Sequence, residues 1–108
     1  MKRRTIIVSI ILATSLTALA ASESAHMISQ KDKAFSEKEI TIHPGESITF
    51  KNDDSVAHNV FSSSPGFEFN LKNQAPGAEA TQTFNQEGDC EIRCAIHPKM
   101  KLIVHVKK

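Results

Sequence analysis

A chain of 108 residues has room for one domain, and 13 basic against 12 acidic residues leave a formal net charge of only +1. With no Trp, no Tyr and no basic stripe, it offers nothing that would recognise nucleic acid. Such a length supports one apolar core, and not a large one.

The first residues do not look like part of that core. Lys2, Arg3 and Arg4 precede an apolar, uncharged run from Ile6 to Leu19, and Ala18-Leu19-Ala20 offers small residues at the two positions a signal peptidase reads. We read residues 1–20 as a cleaved export signal, which places the mature chain in the periplasm without stable membrane insertion. Ile6 to Ala21 is 16 residues, short of the ~20 a spanning helix needs, so an uncleaved anchor is disfavoured. The Arg3-Arg4 pair fits a twin-arginine signal poorly. Processing would turn the net charge slightly negative and leave Lys99, Lys101, Lys107 and Lys108 crowding the C-terminal end. Residues 21–34 read as a partly flexible N-terminal segment, most so from Ala21 to Ala25, and residues 35–108 as the folded domain.

Within that domain Pro44-Gly45, Pro65-Gly66, Pro76-Gly77 and Gly88 punctuate the chain as turns. Glu39 to Ile42 and Ser47 to Phe50 alternate polar and apolar residues, as two half-buried strands joined by a turn would. Further strands are predicted at Ala57 to Ser62, Phe67 to Leu71, Ala80 to Phe84, Asp89 to Cys94 and Lys101 to Lys107. No stretch has a helical period. The spacing predicts an all-β antiparallel sandwich or barrel, with Ile40, Ile42, Ile48, Phe50, Val60, Phe84, Ile92, Leu102, Val104 and Val106 facing the core.

Two cysteines in an exported chain would ordinarily pair. Cys90 and Cys94, however, are four apart in a predicted strand, which puts their Cα atoms about 13 Å apart, whereas a disulfide needs less than about 7 Å. Parity puts Cys90, Ile92 and Cys94 on one face, so both thiols point inward if Ile92 does.

The strongest signal is Cys94-Ala95-Ile96-His97-Pro98-Lys99-Met100, in which a thiolate, an imidazole and a thioether recur every third residue. One tight loop can aim all three at a point. Two histidines, a cysteine and a weak axial methionine form the ligand set of an electron-transfer copper site. The second histidine is assigned to His58, which follows the turn-rich Asn52-Asp53-Asp54-Ser55 and opens a strand. The predicted ligands of one copper are therefore His58, Cys94, His97 and Met100.

His58-Asn59-Val60 with Cys94-x-x-His97-x-x-Met100 resembles the cupredoxins, and the short loop with Pro98 directly after the histidine most resembles amicyanin and the plastocyanin-like members. The resemblance runs from about Phe35 to Val106 and implies a single-domain Greek-key β-sandwich with copper near one end. It also implies that the protein is a type 1 blue copper protein acting as an electron shuttle, and not an enzyme. Against the family pattern, Cys90 stands where an aromatic residue is usual and is read as a buried core residue. Ile96 stands where relatives often have proline, so its N–H is expected to reach the Cys94 sulfur beside that of Asn59 and to raise the reduction potential.

Zinc is the competing metal, but structural zinc sites rarely use methionine. A Cys-His nucleophile would need an oxyanion hole and a third orienting group, and nothing in the sequence supplies them. His43 and His105 read as surface residues. A signal cut after Ala25 would make His26 N-terminal and able to chelate a second copper, although Glu23 suits that cut poorly. The expected function is one-electron exchange between a redox protein donor and acceptor, docking transiently around His97 on a patch including Pro98, Pro65 and Phe67. Lys99 and Lys101 would steer an acidic partner to it. The molecule is expected to be a monomer; the alternative role is a periplasmic copper carrier or chaperone.

Overall fold

Side-chain alternation sorts the chain into strands with one inward face each. In the computed structural model, which describes residues 25–108, these are β1 (Ala25–Lys31), β2 (Ala34–Phe35), β3 (Glu39–Ile42), β4 (Glu46–Asn52), β5 (His58–Ser62), β6 (Phe69–Gln74), β7 (Glu79–Phe84), β8 (Gly88–Cys94) and β9 (Lys101–Val106). The export signal expected at residues 1–20 lies outside the described residues. Among the described residues no helix is long and apolar enough to cross a membrane.

The strands form two sheets, ordered β2-β1-β4-β7 and β3-β9-β8-β5-β6, packed as a sandwich. Ile28, Phe35, Ile48, Phe50 and Phe84 of the first sheet meet Ile42, Val60, Cys90, Ile92, Cys94, Leu102, Val104 and Val106 of the second, all buried. Burial contributes about 1.5–3 kcal/mol for each large apolar side chain. Ile40, expected in the core, packs against it only partly buried. Cys90, Ile92 and Cys94 do share one buried face, and both cysteines are free.

Two ladders run parallel, β1 with β4 and β3 with β9, within an otherwise antiparallel pairing. The Pro44-Gly45 turn therefore carries the chain from one sheet to the other and does not close a hairpin. Gly45 takes φ +91° there, a conformation costly for any residue with a Cβ, and donates to Phe84 O at 2.7 Å. Gly88 takes φ +144°, again costly for a residue with a Cβ, and a Cβ there would press on the Phe67 ring at 3.0 Å.

The domain begins earlier than residue 35. β1 pairs with β4 from Ala25↔Ser47 to Gln30↔Asn52, and Ile28 and Gln30 are buried. Ala25–Phe35 is thus part of the sandwich, whereas the sequence pattern places residues 21–34 outside it. His26 sits within β1 and bonds Glu46 at 3.0 Å.

On the outer face of the second sheet, His105 is the cross-strand partner of Asp89. The Asp89 carboxylate accepts from His105 Nδ1 at 2.7 Å and raises the imidazole pKa above 6.5; Glu39, 3.6 Å from Nε2, adds to this. Because the folded pKa is the higher one, the contribution is full below the unfolded value and is lost as pH rises through the folded value. Asp89→Asn should bring the His105 titration back toward 6.5, as followed by NMR of its ring protons. An unmoved titration would exclude Asp89 as the cause.

Candidate metal centre

Strand register brings the site together. Val60 of β5 lies opposite Cys94 of β8. His58 stands two residues before Val60 on the same inward face, so it reaches just past the end of β8, where Cys94 opens the loop to β9. Arg93↔Lys101 is the last pair of that β8–β9 hairpin, and residues 94–100 form its loop. Two bonds hold the loop: Met100 N–H donates to His97 O at 3.0 Å, and Arg93 Nη1 donates to Pro98 O at 3.1 Å.

His58 Nδ1 and His97 Nδ1 are 3.1 Å apart, and Cys94 Sγ lies 3.9 Å from the first and 3.8 Å from the second. Metal bonds of about 2.0 Å to imidazole nitrogen and about 2.3 Å to thiolate sulfur span these separations. The three donors therefore fit one ion, and among the described residues no other three His, Cys, Asp or Glu side chains converge in this way. A thiolate with two imidazoles suits copper. His58 and Cys94 are buried and His97 is half-buried, so one imidazole alone reaches the surface. Met100 is buried directly after the loop's turn.

The sulfur accepts one backbone hydrogen bond, from Asn59 N–H at 3.2 Å. The second bond expected from Ile96 is not formed. Ile96 faces solvent, 47% exposed, and the sulfur's donor comes across the sheet from β5. Cys90 is apart from this chemistry: its thiol donates to Ser62 Oγ at 3.2 Å, and burial pushes its pKa up, keeping it protonated.

Pro65 and Phe67 do not border the site. Phe67 packs beside Gly88, the far end of β8, six residues and about 20 Å of strand from Cys94. The apolar residues exposed on the ligand-bearing segments are instead Val56, Ala57, Ala95, Ile96 and Pro98. Lys99 is exposed within the loop and Lys101 just after it.

Several supporting residues carry no motif that marks them in the sequence. His58 Nε2 bonds Asp54 Oδ2 at 2.9 Å. The Asp54 carboxyl is held down to about 2, first by the Lys33 N–H and then by His58. Beneath them, Asn52 Nδ2 donates to Val56 O and Gln74 O, Gln74 Nε2 to Phe50 O, and Gln30 Nε2 to Gln74 Oε1, all side chains buried. Polar residues at inward strand positions near His58 are the one available signal, since buried amides are retained where their bonds are met.

A model of the cupredoxin-like domain matches residues 4–104. Amicyanin-alpha of Methylorubrum extorquens is 35% identical over 72 residues, covering 62% of this chain and 59% of amicyanin-alpha, so the chain spans less than two thirds of that relative. Among solved structures, a purple cupredoxin from Nitrosopumilus maritimus matches with a TM-score of 0.68 at 26% identity, over 76% of this chain and 99% of the other. Amicyanin from Paracoccus versutus matches with a TM-score of 0.69 at 25% identity, over 78% and 82%.

Proposed function

The chain belongs to the cupredoxin-like family and takes a single copper, and on that premise we propose that it is an electron carrier of the periplasm, with His58, Cys94, His97 and Met100 as the ligands. The observation that carries this reading is the convergence of His58 Nδ1, His97 Nδ1 and Cys94 Sγ within 3.9 Å of one another. When bound, copper supplies a one-electron Cu(II)/Cu(I) couple.

The protein's own part is to hold the donors still. Cys94 ends a strand fully embedded in the second sheet, and the loop carrying His97 is tied at Pro98 O and His97 O. The Asn59 N–H stabilises negative charge on sulfur. His97, the half-buried imidazole, gives electrons their way in and out, and Val56, Ala95, Ile96 and Pro98 offer an apolar surface for a transient partner. Lys99 and Lys101 favour an acidic one. The whole reads as a monomeric shuttle and not an enzyme, made by removal of residues 1–20.

The test is to load the purified protein with one equivalent of Cu(II). An intense visible thiolate-to-copper band should appear, vanish on reduction and return on reoxidation through many cycles. A colourless copper complex, or colour lost irreversibly, would overturn the reading. Copper passed on to another protein without reversible redox cycling would favour a carrier.

A further inference from the structure

The structure assigns Asp54 the role of a positioning residue that fixes the tautomer of His58 and ties it to the β1–β2 turn. The inference rests on His58 being a copper ligand. An ionised carboxylate only accepts hydrogen bonds. The 2.9 Å contact between Asp54 Oδ2 and His58 Nε2 therefore puts the ring proton on Nε2 and leaves the Nδ1 lone pair facing Cys94 Sγ and His97 Nδ1. Among the described residues Asp54 is the one side chain bonded to His58 Nε2, and the buried ring takes its orientation from that bond.

Asp54 is itself held from both sides. Its backbone N–H donates to Asn52 Oδ1 at 2.9 Å, and its carboxylate accepts from Ser55 N–H and Lys33 N–H, each at 2.9 Å. Lys33 belongs to the turn between β1 and β2, where Asp32 and Lys33 take φ of +52° and +57°. Two non-glycine residues in that conformation store backbone strain, and the second of them aims its N–H at Asp54. The same hairpin grips the neighbouring residue: Asp53 N–H donates to Gln30 O at 2.9 Å, and Ser29 Oγ donates to Asp53 Oδ2. The N-terminal hairpin thus braces the 53–54 segment, and that segment orients the ligand.

The test uses copper-free, 15N-labelled protein at neutral pH, with long-range 1H–15N correlation across the His58 ring. Wild type should show one tautomer, protonated at Nε2. Asp54→Ala should give mixed tautomers, faster amide exchange at Lys33 and a copper affinity about 10- to 100-fold lower by chelator competition. Asp54→Asn keeps a neutral acceptor of the same shape, so it should lie between the two and provides the test if the alanine variant fails to fold. Mixed tautomers in wild type, or a folded variant with wild-type tautomer and affinity, would overturn the assignment. Failure of wild type to bind copper would instead sink the proposed function, while the tautomer measurement would still stand.

Discussion

Cys94→Ser is expected to abolish the visible band of the copper-loaded protein and to lower copper affinity at least about 100-fold, with the fold retained. The magnitude follows from the donor set. A complete four-ligand structural zinc site is worth about 10–16 kcal/mol, and on that scale one ligand accounts for roughly 3 kcal/mol, or about two decades. The loss of colour is sharper than the loss of affinity, because a serine oxygen cannot replace the covalency of a soft thiolate. Absorption spectra with chelator competition would measure both, and far-UV circular dichroism would check the fold. Cys90→Ser is the matched control: its thiol is equally buried but bonds Ser62 and is kept protonated by burial. The band should survive there. Colour lost in the Cys90 variant and kept in the Cys94 variant would exchange the roles of the two thiols.

Residue spacing alone makes that contrast legible. Cys94, His97 and Met100 fall in one short loop, and a period of two places Cys90, Ile92 and Cys94 on a common face; β8 displays that face buried. Strong alternation likewise marks β3, β4 and β9. β1 is illegible for the opposite reason: its inward positions hold Ile28 and Gln30, while its other long apolar residue, Met27, is 56% exposed. β6 begins at Phe69 and not Phe67, because Phe67 still closes the Pro65-Gly66 turn onto Ser64 O. Sheet partnership is the hardest feature to read. The parallel ladders join β1 to β4 and β3 to β9, and such long-range pairings have no local pattern. The same lack of a local signal puts Pro65 and Phe67 at the copper end in a sequence-based reading and hides Asp54, whose importance depends on where the β1–β2 turn lands.

Phe50→Ala should destabilise the copper-free protein by about 3–5 kcal/mol, the usual cost of emptying a buried aromatic site. Phe50 is fully buried within β4, meets Phe35 edge to face at 6.3 Å between ring centroids, and presents its carbonyl to Gln74 Nε2 at 3.2 Å. β4 lies between β1 and β7, so neither sheet edge can close over the void. For a domain with the usual stability of about 5–15 kcal/mol, the loss is a large fraction of the total. Denaturant titration should show a lower midpoint with an unchanged slope. A metal that binds the folded state alone stabilises it by mass action, so excess copper should raise the midpoint of the variant and of the wild type. The difference between the two proteins would persist, because Phe50 contributes to the core and not to the donor set. A variant whose lost stability came with an equal loss of copper affinity would show instead that core packing and ligand geometry form one cooperative unit through Gln74, whose β6 position pairs with His58.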